Sequence, residues 1–578
     1  MNSILEFSEF FKKLKKLKKL NYLIFGSLII LIILALFSGQ YSIPPIDRDE
    51  ARFAQASSQM IQTGDYVNIK FQDEIRAKKP IGIYWLQAFS AKIFGQEDIG
   101  SYRIPSLLSS IITLVFVGLI TRLIFPLFQT LIVTLLFASS IVFMGEAHLA
   151  KTDATLLCLI CIQQYFLLKI ILHQDNTFKV KYLYPILVWL AFSFGVLVKG
   201  PLSIAILFPT VIAFSIIQKS ISLIKSLRPM LGFLICTLVI LPWFLAIDEA
   251  TNGMFLQKAF QEDFFSKLES GQEGHGAMPG THLLTLSISI WPIATFLPCL
   301  ILFILQNKTN IIIKFLMCWI LPFWGIIELI PTKLLHYPLP VLPAIAILAI
   351  GGLLQFKSNI KKIKSVLLRK ITYIFSILFS FGGIILSGGI FYISSKFNIE
   401  NDYILTFFTM LLVLIAIVIF ILSHTLIFNF KTLYPDVSKS FYNILLAIIA
   451  LASIFNIINY NFVLPKLDYL HPSKAIIKKL KKVKADAVAS SGYHEPSLVF
   501  LLNGDVLLSD PHEVAIFMAE GKNNVALIEK SDLKQFLETT NDLNLKINEI
   551  FIIKGFNIAK GRHVEIYIFQ NQLFDLIN

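Results

Sequence analysis

"PPIDRDEARFAQASSQMIQTGDYVNIKFQDEIRAKKPIGIYW", Pro44 to Trp85, follows an apolar run from Asn21 to Phe37 and is dense in charges of both signs. Asp47, Asp49, Glu50, Arg52, Lys78 and Lys79 crowd into it, in a 578-residue chain that is 56% hydrophobic and only 15% charged. A soluble globular chain carries about 25% charged residues and about 45–50% apolar ones. Apolar runs long enough to cross a bilayer recur along most of the length. The chain reads as a polytopic membrane protein, and the charged stretch as its first large loop.

Working outward, apolar segments fall at 22–37, 104–125, 127–146, 154–172, 183–198, 201–217, 229–247, 283–305, 311–330, 334–354, 371–393, 404–428 and 440–461. The expectation is thus about 13 transmembrane helices. The first, behind "KKLKKLKKL", is too long for a signal-peptide core and lacks an A-x-A site, so it is read as an uncleaved helix with its basic end in the cytoplasm. A formal net charge of +14 is no argument for nucleic acid, because most Lys and Arg lie in short loops on one predicted side. All five cysteines sit in apolar segments, and the C-x-x-C of Cys158 and Cys161 reads as packing.

The predicted outer side differs in kind. It carries the loop 39–103, "GEAHLAKTD" (Gly145 to Asp153), "VKGP" (Val198 to Pro201), the loop 248–282, "PTKLLHY" (Pro331 to Tyr337) and the tail. Acidic residues gather there, and Lys151, Lys199 and Lys333 lodge at segment ends. An ionisable group at a membrane boundary is costly, which makes it a site hypothesis; snorkelling is the plainer alternative for any one lysine. After about residue 465 the composition changes to short apolar runs alternating with helical ones. Residues 1–464 are therefore expected to form a transmembrane catalytic domain, and 465–578 a small soluble α/β domain on the same outer side.

Within the loop, Phe53, Ala54, Ala56, Met60 and Ile61 recur at near-helical spacing, which predicts a short amphipathic helix along the interface. Asp49 and Glu50 at its start suit either capping or a carboxylate base, with Arg52 close by on the same helix. "AKKP" brings Lys78 and Lys79 to a reversal fixed by Pro80. Cations of this kind suit a phosphate, and a carboxylate suits deprotonation of an acceptor. No Walker A or G-x-G-x-x-G motif occurs, and a donor reached from the bilayer edge is most naturally a lipid phosphate.

The loop resembles the first external loop of lipid-linked sugar transferases of the protein O-mannosyltransferase type, above all the branch that attaches 4-amino-4-deoxy-L-arabinose to lipid A. "AKTDATLL" (Ala150 to Leu157), "LVKGP" (Leu197 to Pro201), "PWFLAI" (Pro242 to Ile247) and "KLLHYPLPVLPAIAIL" (Lys333 to Leu348) extend the resemblance in order. It implies a GT-C fold and a polyprenyl-phosphate sugar donor. It further implies Asp49 as the catalytic carboxylate and Asp153 as a second one. Arg52, Lys79, Lys199 and Tyr337 would line the donor phosphate, and Lys267 would stand where relatives often place an arginine.

Two departures stand out. Phe53 occupies a position where the arabinose transferases usually carry tyrosine, and Lys78 one where they carry an acidic residue able to bind metal. No metal and no other cofactor is therefore expected. Asp263, Glu273 and His275 lie in a glycine-rich stretch that reads as a lid. "SGYHEP" around His494 and Glu495 reads as a strand-to-helix turn.

The expected function is sugar transfer, with inversion, from a polyprenyl phosphate to lipid A or another envelope glycan at the periplasmic face of a bacterial inner membrane. Transfer to protein Ser/Thr is the first alternative. A lipid-linked-sugar transporter is the second, although no internal repeat supports it.

Overall fold

The computed structural model describes residues 23–173, 177–259, 276–359, 366–397, 402–429, 437–483, 485–521 and 523–571. Each expected apolar segment coincides there with a helix or a helix pair. Among the described residues, nine helices are long and apolar enough to cross a membrane, among them Ile99–Arg122, Asp153–Leu172, Lys179–Lys199 and Tyr403–Ile427. A tenth candidate, Leu127–Ala138 with Ile141–Ala147, bends by 67° between its halves. Leu23–Phe37, Ile293–Gln306 and Leu339–Gln355 are apolar but shorter.

By length and composition, nine or ten of the described helices qualify as spans; with the three shorter apolar helices they account for the 13 expected segments, two of which are shortened for local reasons. The expected segment 283–305 is two pieces, Thr281–Ser289 and a helix resuming at Ile293, because Pro292 interrupts the ladder. The expected segment 334–354 turns helical only at Leu339, since Pro331 and Pro338 disfavour an α-helix across the residues before it.

The first loop is a built structure. Its helix Asp49–Thr63 buries Phe53, Ala54, Ala56 and Met60, the face read from the sequence. Strands β1 (Lys70–Phe71) and β2 (Glu74–Ile75) form a small antiparallel hairpin, followed by the helix Gly82–Phe94. Phe53, Met60, Ile81, Tyr84, Leu197, Trp243 and Ile247 share one apolar cluster, so the loop is packed onto the ends of two membrane helices. Gly82 permits the closest approach: a Cβ there would stand 2.8 Å from the Leu197 carbonyl oxygen.

Arg103 fastens the start of the loop. It has no exposed side-chain surface, and its Nε and Nη2 donate to the two Glu50 oxygens at 2.7 and 2.8 Å. Its remaining donors reach the carbonyls of Gln40, Ile43 and Pro44, which uses every guanidinium N–H. Glu50 also accepts from the Ile46 and Ala150 backbone N–H groups. A buried pair this fully satisfied is a rigid staple.

The C-terminal part forms a five-stranded sheet from β3 (Val488–Ser491), β4 (Leu507–Leu508), β5 (Val525–Glu529), β6 (Ile547–Asn557) and β7 (Arg562–Asn571). Their order is β4-β3-β5-β7-β6; β3 is parallel to β4 and β5, while β7 is antiparallel to β5 and β6. Strands β3 and β5 are buried along their whole length, as expected where helices cover both faces. This unit sits directly on the first loop. Phe500, from the helix Pro496–Leu501, meets the Tyr102 ring edge-on at 5.3 Å and joins a cluster with Ala54, Ala91 and Ala150.

Candidate active site

Two antiparallel helices bring charges together at one end of the bundle. Asp153 opens the helix Asp153–Leu172, Lys199 closes Tyr184–Lys199, and Lys199 Nζ lies 2.6 Å from Asp153 Oδ1. Lys151, in the turn before Asp153, stands 2.9 Å from Glu146 Oε1 and 3.8 Å from Asp153 Oδ2. Burial works against its charge, but Glu146 and Asp153 outweigh that and raise its pKa, so Lys151 stays protonated.

His336 completes this floor. Its Nδ1 is 3.9 Å from Glu146 Oε1 and its Nε2 is 3.8 Å from Asp153 Oδ1. Burial and the cations Lys151 and Lys199 push the imidazole down to about 3 against the pull of Asp153, so it is neutral at physiological pH. Tyr337 meets the His336 ring edge-on at 5.3 Å and lines the same corner.

Asp49 stands above the floor with a side chain 70% exposed, 4.0 Å from the Arg76 guanidinium. Partial desolvation opposes ionisation, but Arg76, Lys151 and Lys79 together hold the carboxyl below its ordinary value. Arg76 is itself buried, its cation 5.1 Å over the Phe53 ring and its Nε donating to the Tyr84 hydroxyl at 3.2 Å. The approach of Gly82 to Leu197, with Pro80 against Gly200, sets the "KKP" turn beside "VKGP". Lys79 there is half-buried and donates to the Lys78 carbonyl at 2.8 Å, while Lys78 is exposed.

The expected site residues fall out as follows. Asp49, Lys79, Asp153, Lys199 and Tyr337 converge on this region. The Arg52 guanidinium acts on Asp47, whose Oδ1 accepts from the Ser497 backbone N–H at 2.9 Å. Lys267, with Asp263, Glu273 and His275, lies outside the described residues.

Lys333 turns away from the site. Its Nζ donates to the Ile327 and Glu328 carbonyls and so caps a helix end. Glu50 is the partner of Arg103 rather than a second base. His494 and Glu495 lie in the turn between β3 and Pro496–Leu501, bonded within the α/β unit to the Ser490 carbonyl and to Asn557. Arg76, Glu146 and His336 were not singled out as site residues by sequence. The available signal was their position beside "KKP", in "GEAH" and in "LLHYP", motifs already flagged through other residues. Among the described residues, no group of three His, Cys, Asp or Glu side chains is placed to hold a metal ion.

Comparison with known proteins follows the same line. The family model for dolichyl-phosphate-mannose-protein mannosyltransferase matches residues 78–245. The crystal structure of ArnT from Cupriavidus metallidurans bound to undecaprenyl phosphate superposes with a TM-score of 0.70 at 16% identity, covering 94% of this chain and 97% of that one. This chain has the GT-C fold.

Among sequence relatives of this GT-C chain is the undecaprenyl phosphate-alpha-4-amino-4-deoxy-L-arabinose arabinosyl transferase of Pectobacterium atrosepticum, 25% identical over 55% of this chain and 57% of its own. The Pseudomonas aeruginosa enzyme of that name is 26% identical over 53% of this chain and 55% of its own. The chain therefore spans little more than half the length of the curated relatives it matches.

Proposed function

We propose that this GT-C chain is a membrane glycosyltransferase that moves a sugar from a polyprenyl phosphate to an envelope acceptor, lipid A in the first instance. One observation carries the reading: an accessible, ionised carboxylate, Asp49, stands among Arg76, Lys79 and Lys151 at the end of the helix bundle where Asp153 and Lys199 also lie. The names of the matched relatives and of the superposed structure support the donor class.

In this mechanism the donor enters sideways from the bilayer, and Lys79 and Lys199 bind its phosphate, with Tyr337 lining the site and Arg52 and Lys267 assigned to it by resemblance. Asp49 takes the proton from the acceptor hydroxyl as its oxygen attacks the anomeric carbon. The bond from that carbon to the phosphate oxygen breaks, the polyprenyl phosphate leaves with the electron pair, and the cations stabilise its growing charge. Direct displacement inverts the anomeric centre. Asp153, held by Lys199 and Lys151, orients those cations. The setting assigned is the inner membrane, with residues 1–464 as the catalytic unit, residues 465–578 beside it, and both the site and the C-terminal unit facing the periplasm.

The test is transfer by the purified full chain in detergent, with radiolabelled polyprenyl-phosphate pentoses and hexoses as donors and an outer-envelope extract as acceptor. Label in lipid A from a pentose donor is the expected result. Label in protein would move the acceptor to protein, Ser/Thr side chains being the alternative raised above; the matched family model is described as a protein mannosyltransferase. Donor binding with no product from any donor would overturn the enzyme reading in favour of a transporter.

A further inference from the structure

We infer that the C-terminal α/β unit positions the Asp49 carboxylate, by holding Asp47 and Arg48, the two residues that precede it. The inference rests on the reading above, in which Asp49 takes the acceptor proton.

Asp49 does little to fix its own place. Its side chain is 70% exposed, and its contact with Arg76 is a loose 4.0 Å. Its neighbours are held instead. On one side, Glu50 is clamped to the helix bundle through Arg103 and the Ile46 and Ala150 N–H groups. On the other, both preceding residues reach across to the C-terminal unit. Asp47 Oδ1 accepts from the Ser497 N–H at 2.9 Å, and the Arg48 guanidinium donates to the Ala559 carbonyl.

Backbone conformation agrees. Arg48 is held at φ 70°, a left-handed conformation that a non-glycine residue keeps only where its surroundings impose it. That turn directs Asp49 as the first residue of the helix Asp49–Thr63.

Both anchor points are themselves firm. Ser497 lies in a helix start bound to Ser473, whose hydroxyl also meets that of Tyr493, in a buried cluster. Ala559 lies in the tight turn between β6 and β7, where the Lys560 N–H donates to Asn557 Oδ1 and Gly561 adopts φ 65°. Further bonds widen the contact: Gln72 Nε2 to the Val506 carbonyl at 2.9 Å and Gln62 Nε2 to that of Asn503 at 3.3 Å. These two anchors sit more than four hundred residues from Asp49 in sequence, and they define where its carboxylate stands. A misplacement of about 1 Å at a reacting group is enough to cost about 100-fold in rate.

The test compares full-length wild type with Asp47→Ala, Arg48→Ala and the conservative Asp47→Asn, which keeps the Oδ1 acceptor for Ser497. Hydrogen–deuterium exchange across residues 46–53 reads the position of the loop; kcat and donor KM read its consequence. Exchange in β3 and β5 confirms that the α/β unit stays folded.

Both alanine variants are expected to exchange faster across 46–53 and to lose about 100-fold in kcat with donor KM unchanged, while Asp47→Asn stays near wild type in both readouts. Unchanged exchange in the alanine variants overturns the inference. Faster exchange with kcat retained overturns it too, because the loop would then move without consequence. If wild type transfers no sugar at all, the proposed reaction fails on its own terms, and exchange alone decides whether the α/β unit holds the loop.

Discussion

Arg103 and Glu50 form the pair on which the geometry of the loop depends, with side chains 0% and 1% exposed. Removing one partner of a buried pair leaves an uncompensated charge, at a cost of about 3–5 kcal/mol. Arg103→Met is therefore expected to lower the unfolding free energy by about that amount, read by thermal or denaturant unfolding in detergent. Asp49 and His336 make a different prediction, about pH. Arg76, Lys151 and Lys79 hold Asp49 below its ordinary value, so as a base it is ready throughout the neutral range and is lost only in acid, below the usual carboxylate range. His336 is pushed down to about 3 and stays neutral well above that value. The kcat/KM profile of His336→Gln is thus expected to keep its wild-type shape over about pH 5–8, and a limb that disappears with this substitution would show a charged His336 instead. Sequence reading drew attention to Asp49 and Lys79 as ionisable residues of the first loop and to Lys199 as one at a segment end, and it took their roles and that of Asp153 from the family resemblance. It read Glu50, with Asp49, as a cap or a carboxylate base, since its partner lies 53 residues away and no local spacing announces that pairing.

The element that matters most is the helix Gly82–Phe94, which carries the "KKP" turn against the end of Tyr184–Lys199. Gly82 is the point of contact, and a side chain there meets the Leu197 carbonyl and the Val198 side chain. Gly82→Val is expected to push the two elements apart, separating Lys79 from Lys199. It should weaken donor binding at least tenfold, about 1.4 kcal/mol, in a direct assay with polyprenyl phosphate, while leaving the α/β unit folded. Apolar runs revealed the membrane helices well, because each buries or exposes a continuous greasy surface. They concealed the breaks. Ile290 to Ile293 stays apolar through the interruption at Pro292, and the bend after Ala138 falls at two serines inside an otherwise apolar stretch. Composition records what an element is made of, and a kink depends on one residue and on what packs against it.

For the whole molecule, the composition of the tail led to the expectation of an α/β unit, and strands and helices alternate there between Pro472 and Asn571. Its seat was not legible. The contacts from Ser497, Phe500, Val506 and Ala559 to the first loop and the helix start behind it join residues about four hundred positions apart or more, and each is an ordinary residue by type. The molecule is thus a bundle whose charged loop is held from the membrane side by Arg103 and from the far side by the C-terminal unit, with Asp49 between them.

The most direct measurement is single-turnover sugar transfer from pre-bound donor by wild type and Asp49→Asn, with donor affinity measured alongside. With Asp49 as the base, the substitution is expected to cost about 100- to 10,000-fold in the transfer step with donor affinity retained, the signature of a missing general base. Transfer by Asp49→Asn at close to the wild-type rate would contradict that role.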